Sequence, residues 1–203
     1  MKFKIHFKKI ILILIVFILI FLIYSLYNYF KPVNIIYHQG QKYEFRDDVK
    51  EAYKITVYPN ETWLHDLFWD VRIENITILF KPMDSKTNGY YRVEVFELVH
   101  KLTNMYKTIP YFFGRTSSGV QPVFLTKNFN AQEIENYENI NREDNVLKIV
   151  LVPPGLTNDT YVWTGGNKIF IHGKNFKDFD LATIKTILAA MGYKPEKKFD
   201  LLG

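Results

Sequence analysis

The sequence contains no cysteine. Disulfide-stapled scaffolds, zinc sites built on thiolates and thiol nucleophiles are therefore excluded. The absence leaves the compartment open, because a chain of 203 residues can bury enough apolar surface to fold without cross-links in either redox environment.

Local motifs for metals, phosphates and nucleophilic catalysis are missing as well. None of the five histidines belongs to an H-x-H or H-E-x-x-H pattern. The polar loop Gly114–Gly119 lacks the spacing and the lysine of a phosphate-binding loop, although its backbone amides and Arg115 are able to hold an anion. Ser117 and Ser118 lie outside a Gly-x-Ser-x-Gly elbow. We therefore predict no metal and no cofactor.

The basic charge does not indicate nucleic acid. The formal net charge is +5, but four lysines lie before residue 10, and basic and acidic residues nearly balance from Lys31 onward. A nucleic-acid footprint needs basic residues concentrated on the folded domain. We predict no nucleic-acid partner.

A long apolar run occupies Ile10–Phe30, interrupted only by Ser25 and Asn28. A helix needs about 20 mostly apolar residues to cross the hydrocarbon of a bilayer. The run therefore predicts a transmembrane helix whose partner is the lipid bilayer. A cleaved signal peptide is the alternative, but it has a shorter apolar core and a small-residue cleavage site, which is absent here.

Charge around this run predicts its direction. Lys2, Lys4, Lys8 and Lys9 precede it, and positively charged flanks stay on the cytoplasmic side. We expect a cytoplasmic tail (residues 1–9), a single-pass helix (residues 10–30) and an exported domain (residues 31–203).

Three N-glycosylation acceptor triplets lie in the part expected to be exported. They begin at Asn60, Asn75 and Asn158. Because glycans are added on the exported side, these candidates agree with the orientation. Asn75 is also explained as an ordinary residue at the start of a strand.

The first part of the exported domain predicts a hairpin and two short helices. Val33–Tyr37 and Tyr43–Phe45 flank a Gln39-Gly40 turn, which predicts a membrane-proximal hairpin within residues 31–46. Asp47 or Asp48 is expected to cap a helix that ends at Tyr53. Asn60 is expected to cap another through Trp69 with an apolar face of Trp63, Leu64, Leu67 and Phe68.

The middle of the domain predicts strands alternating with helices. Apolar runs at Ile76–Phe80 and Leu147–Val152 are typical of buried strands. Between them, apolar residues at helical spacing from Tyr91 to Tyr106 predict a helix capped by Asn88. A strand at Val123–Thr126 and a short helix beginning near Asn130 complete this region.

The last part predicts a second hairpin and a final helix. Thr160–Trp163 and Lys168–Ile171 flank a glycine-rich turn. Asp178 or Asp180 is expected to begin the helix, and Gly192 to end it. The whole order predicts one small α/β domain with a mixed sheet and helices on both faces.

Ligands of open α/β sheets bind beyond the carboxyl ends of parallel strands. On this ground Asp84, Lys127 and Thr157 are candidate ligand-binding residues, together with Arg115. Ordinary solvated loop residues explain the same positions, and a glycan on Asn158 would crowd that edge of the sheet.

Two segments carry a family resemblance. Ile169–Lys174 followed by Phe179–Thr183, together with Phe96–Leu102, resembles a group of uncharacterised membrane-anchored proteins from thermophilic Archaea. The resemblance implies a cell-envelope location and brings no activity and no functional residues.

The leading hypothesis is a membrane-anchored extracytoplasmic domain that binds a ligand or another membrane or envelope protein. The alternative is an envelope hydrolase that uses Asp84, Asp178 or Asp180. A pilin-like subunit is disfavoured, because Lys9 meets Ile10 directly and the small residue expected before the apolar segment is missing.

Overall fold

The computed structural model describes residues 2–30, 34–70, 72–80, 85–107, 120–124 and 145–193. The helices of this part are α1 (Lys2–Phe30), α2 (Val49–Tyr53), α3 (Glu61–Trp69), α4 (Ser85–Lys107) and α5 (Phe176–Ala190). The strands are β1 (Asn34–His38), β2 (Gln41–Phe45), β3 (Thr56–Tyr58), β4 (Asn75–Phe80), β5 (Val120–Phe124), β6 (Val146–Leu151), β7 (Tyr161–Gly165) and β8 (Lys168–His172).

The strands form one hairpin and one mixed sheet. β1 and β2 pair antiparallel, and the larger sheet has the order β3-β7-β8-β6-β4-β5. Only β7 and β8 are antiparallel in that sheet; every other neighbouring pair is parallel. The prediction of a small α/β domain with a mixed sheet is confirmed.

One face of the sheet packs against α2, α3, α4 and α5. Alternate strand residues such as Ile78, Ile149 and Ile171 are fully buried in one cluster with apolar residues of these helices. Val150, Val152 and Phe170 point to the other face and form a separate small cluster. Helices were predicted on both faces, and those that pack on the sheet in the described ranges share a single face.

The final helix is the centre of the helical layer, because α2, α3 and α4 all contact it. It begins at Asn175, whose Oδ1 accepts a hydrogen bond from Asp178 N at 3.0 Å. The prediction that Asp178 or Asp180 begins this helix is wrong, since asparagine caps as well as aspartate does. The helix ends as expected at Gly192, which has a φ of 65°.

Two other boundaries differ from the prediction. The helix α4 begins at Ser85, so Asn88 lies within it rather than at its cap. Apolar periodicity marks only the part of a helix that faces the core, and the helix extends beyond that part. The strand β5 begins at Val120 and includes Pro122, which is tolerated because β5 ends the described strand order.

The strand β3 was not predicted, and the other described elements follow the prediction closely. Both hairpins are present, and Asp48 and Asn60 cap α2 and α3. Trp63 is the exception on α3: it is 52% exposed, because it lies one helical step outside the stripe of Leu64, Leu67 and Phe68. The helix expected near Asn130 lies outside the described residues.

The part of α1 whose side chains the structure describes, residues 12–28, is mostly apolar and exposed. Each large apolar side chain described along it, from Leu12 to Tyr27, is between 47% and 69% exposed. A search of the described residues finds no helix with both the length and the hydropathy that a membrane crossing needs.

Candidate functional site

A cleft of about 560 Å³ opens between α4 and α5. Its third wall is the end of β2 and the turn that follows. The lining residues are Phe45, Arg46, Asp47, Gly89, Tyr90, Val93, Glu94, Glu97, Asp180, Thr183, Ile184 and Ile187. Charged and apolar residues therefore share one concave surface, as they do in most ligand sites.

Glu94 is the most unusual residue of this cleft. It is only 5% exposed, because it lies three residues after Tyr91 and four before Leu98, which both face the core. Burial raises the pKa of Glu94 well above its usual range, and the neighbouring carboxyl group of Asp180 raises it further. The protonated form of Glu94 is therefore favoured relative to that of an exposed glutamate.

Asp180 receives that proton in a hydrogen bond. Burial raises its pKa also, although the hydrogen bond from Glu94 opposes the rise. The two carboxyl groups thus share one proton across the gap between α4 and α5, since two adjacent carboxylates in a poorly hydrated site cannot both ionise without a large energetic penalty.

Polar atoms beside the pair are incompletely satisfied. Asp180 Oδ1 and Thr183 Oγ1 are buried and have no hydrogen-bond partner of ordinary geometry. The Thr183 side chain is 1% exposed and lies against the Glu94 carboxyl group. Both residues line the cleft, so these oxygen atoms are candidate acceptors for a hydrogen-bond donor.

A second charged group adjoins the cleft about two turns beyond Glu94 along α4. Lys101 is 5% exposed, forms an ion pair with Glu97, and places its Nζ 4.8 Å from the centre of the Phe45 ring. Burial lowers the pKa of Lys101 to about 8, while Glu94 acts in the opposite direction. The ion pair with Glu97 also favours the charged ammonium.

A metal is a poor match for this constellation. Among the residues that the structure describes, no group of three or more His, Cys, Asp or Glu side chains is placed to hold a metal ion. Glu94 and Asp180 are joined by a proton instead. The arrangement is suited to proton exchange, hydrogen bonding and the binding of a cationic group.

Of the residues predicted as ligand-binding, Thr157 alone belongs to the part of the chain that the structure describes. Asp84, Arg115 and Lys127 lie outside the described residues. Thr157 is half-buried, donates a hydrogen bond from its hydroxyl to the carbonyl oxygen of Asp159 at 2.9 Å, and does not line the cleft.

The three predicted glycosylation acceptors are all exposed. Asn60 Oδ1 accepts a hydrogen bond from Trp63 N at 2.8 Å as the cap of α3. Asn75 is the first residue of β4, and Asn158 lies in the loop between β6 and β7. Their positions leave room for a glycan, and glycosylation itself stays a prediction.

Of the described carboxylates predicted for a hydrolase, only Asp180 lies in the cleft. Asp178 instead accepts a hydrogen bond from Asn175 Nδ2 at 2.7 Å and has Lys174 Nζ at 3.4 Å. Its role is to support the cap of α5.

Sequence reasoning missed Glu94, although a signal for it exists. On α4 the spacing that marks the apolar stripe also includes Glu94 and Lys101, so two charged residues lie on the buried face. A charged residue inside an apolar stripe is rarely buried unless it is paired. This departure from the apolar pattern is the sequence signal that indicates the cleft.

Comparisons with known proteins add nothing to this geometry. No protein-family model matches the chain, and no curated protein or solved structure is significantly similar to it. The resemblance to archaeal membrane-anchored proteins stays a prediction.

Proposed function

We propose that the chain is a single-pass membrane protein whose exported α/β domain binds a ligand in the cleft between α4 and α5. The observation that carries the binding function is the cleft itself, which contains a shared proton and two buried, unpartnered oxygen atoms. The anchor and the orientation are supported by the sequence around α1.

The proposed membrane anchor is supported by the apolar run Ile10–Phe30 and by the exposure of its described side chains. An exposed apolar surface of this extent is unfavourable in water and favourable in hydrocarbon. Four lysines before residue 10 and three acceptor triplets in the domain, each with an exposed asparagine, agree with a cytoplasmic N-terminus.

Lysine substitutions test the anchor. Ile15→Lys combined with Leu19→Lys should release the protein from carbonate-washed membranes, since each lysine near the centre of a spanning helix costs about 2.5–3.5 kcal/mol. The matched control changes two equally exposed apolar residues of the domain, Tyr37→Lys with Phe96→Lys. Equal retention of both double variants would refute the anchor.

Cysteine labelling tests the orientation, because the natural chain has no cysteine. A membrane-impermeant maleimide added to whole cells should label an Asn158→Cys variant and leave a Lys4→Cys variant unlabelled. Both variants should react after lysis. The reverse pattern on whole cells would refute export of the domain.

Substitution of Gly89 tests the cleft as a binding site. Gly89 lines the cleft, and a Cβ at this position meets no atom within 4 Å. Gly89→Phe therefore occupies the cleft without displacing the backbone, whereas Gly89→Ala leaves it open and favours the helix. Native mass spectrometry of full-length protein from its own membranes should find a small ligand on the Gly89→Ala variant and lose it with Gly89→Phe.

A separate hypothesis is that the exported domain binds another envelope protein. Purification from native membranes in mild detergent should then recover a stoichiometric partner that is kept by Gly89→Phe. A lone protein with no bound molecule in either variant would count against both forms of the binding function.

A hydrolase remains the second candidate, because Asp180 does lie in a cleft with a raised pKa. Two hydrogen-bonded carboxyl groups that share a proton are able to activate water for attack on a peptide carbonyl, whereas glycosidases hold their carboxyl groups about 5 Å or more apart. Hydrolysis of labelled casein that is abolished by Asp180→Asn would favour this candidate over simple binding.

A further inference from the structure

The polar part of the cleft offers three groups that accept hydrogen bonds. Asp180 Oδ1 and Thr183 Oγ1 make no hydrogen bond of ordinary geometry, and the Glu94 carboxyl group beside Thr183 is the third acceptor when it is ionised. A primary ammonium group carries three N–H donors and no acceptor. It therefore complements this set of oxygens, which a neutral hydroxyl or an anion does not.

The charges that face the pair favour a cation. From α4 these are Glu94, Glu97 and Lys101, from α5 Asp180, and from the turn after β2 Arg46 and Asp47. The acidic groups outnumber the basic ones, and the Lys101 ammonium is already paired with Glu97.

The rest of the cleft is apolar. The walls are formed by Phe45, Tyr90, Val93, Ile184 and Ile187. Hydrocarbon of a ligand gains free energy when such a surface removes it from water. A ligand with an apolar stem and a charged end therefore matches both parts of the cleft.

The protein already contains one buried ammonium group that is held by oxygen acceptors and an aromatic ring. Lys185 Nζ donates to the carbonyl oxygen of Tyr53 at 2.8 Å, pairs with Glu61, and lies 4.0 Å from the centre of the Tyr53 ring. That ammonium has its acceptors and its aromatic surface supplied from within the chain. The Asp180 and Thr183 oxygens are acceptors of the same kind as those around Lys185 Nζ.

We propose that the cleft binds a primary ammonium group on an apolar stem, which contacts the oxygen atoms of Glu94, Asp180 and Thr183. The stem belongs either to a free alkylamine or to a lysine side chain. This inference rests on the proposed function, since it names the ligand class of the same cleft.

The proposal makes binding depend on pH in one direction. An ammonium ion stabilises the doubly ionised pair, so binding releases up to one proton, and affinity should rise up to tenfold per pH unit while the free pair stays protonated. Alkylamines remain charged below about pH 10, so the ligand's own titration does not produce this rise.

Calorimetry of the full-length protein in mild detergent provides the test. The probes are n-butylamine and Nα-acetyl-lysine amide, with n-butanol as the uncharged control, at pH 5.5, 6.5 and 7.5. We expect at least one amine to bind more tightly than n-butanol and to gain affinity with rising pH. Tighter binding of n-butylamine indicates a free amine, and tighter binding of the lysine derivative indicates a lysyl group.

Two variants distinguish the contribution of the titrating carboxyl pair from a general loss of amine affinity. Glu94→Gln preserves the shape of the protonated side chain, and it should weaken amine binding at least tenfold at pH 7.5 and remove the pH dependence. Thr183→Val should weaken binding but leave the pH dependence. Glu51→Gln makes the same chemical change at an exposed ion pair with Lys54 and should alter neither.

The outcomes distinguish the inference of ammonium binding from the broader proposal that the cleft binds a ligand. Amine binding that is unchanged by Glu94→Gln, or that equals n-butanol binding, would overturn the inference. If a native ligand is nevertheless lost with Gly89→Phe, the cleft is a binding site for another class of molecule. If neither a native ligand nor an amine binds, both proposals are wrong.

Discussion

His172 makes the stability of this fold sensitive to acid. The side chain is 1% exposed, and its ring stacks on Tyr161 with centroids 4.3 Å apart. Neither ring nitrogen has a hydrogen-bond partner among the described residues. Burial lowers the pKa of His172 to about 4, because a charged imidazolium has no compensation in this position.

The direction of the effect follows from proton binding. Between pH 4 and the usual histidine pKa of 6.5, the unfolded chain holds a proton on His172 that the folded chain does not, so the free energy of unfolding falls as the pH falls. The contribution is complete above about pH 6.5. Proton linkage gives a loss of about 1 kcal/mol at pH 5.5 and about 3 kcal/mol at pH 4.5.

His172→Phe should remove this loss. Phenylalanine keeps the stacking on Tyr161 and cannot be protonated. Because Glu94 and Asp180 have raised pKa values and act in the opposite direction, the quantity to compare is the difference in unfolding free energy between the natural protein and the variant at each pH. Urea unfolding of the full-length protein in mild detergent, followed by tryptophan fluorescence, measures it.

His100→Phe is the matched control for this experiment. His100 is exposed on α4, and the same substitution there should leave the pH profile of stability unchanged. A His172→Phe profile parallel to that of the natural protein between pH 7.5 and 4.5 would refute the reasoning. It would mean that the imidazole is protonated in the folded state at a small energetic penalty.

Two further substitutions test the packing of α5. Gly173→Ala should destabilise the domain by about 1–3 kcal/mol, since its Cβ would lie 2.5 Å from backbone atoms of Phe179; an unchanged melting temperature would contradict that contact. Lys185→Met should lower the unfolding free energy by about 1–3 kcal/mol, because it leaves the Tyr53 carbonyl oxygen without its donor and Glu61 without its cation. A stabilised Lys185→Met variant in urea unfolding would show that this ion pair opposes folding.

The sequence predicts most elements of the domain because their signals are local. The turn at Gln39-Gly40 and the cap at Asn60 depend on side chains within a few residues, and both are present as expected. β3 was missed because three residues carry too little periodicity to distinguish a strand. Its parallel pairing with β7 joins segments more than 100 residues apart, and nothing in Thr56–Tyr58 indicates that partner.

The candidate site was harder to predict because it depends on how two helices pack. The sequence places Glu94 and Asp180 on separate helices, and only the packing of α4 on α5 brings their carboxyl groups together. The sequence analysis predicted a ligand site at the edge of the sheet where the parallel strands end. The structure places its cleft on the helical layer instead, above the face of the sheet that those helices cover.

Replacement of the acidic pair by apolar residues separates its contribution to folding from its contribution to binding. Buried charged or proton-sharing groups often stabilise a fold less than apolar residues of similar volume, and such replacements add about 1–4 kcal/mol in favourable cases. We expect Glu94→Leu with Asp180→Leu to raise the unfolding free energy at neutral pH, as measured by urea unfolding, and to abolish amine binding. The single change Glu94→Leu should stabilise less, because it leaves Asp180 buried without a hydrogen-bond donor. A double variant that is less stable than the natural protein would assign the pair a structural role, since the proton shared between α4 and α5 would then hold these helices together.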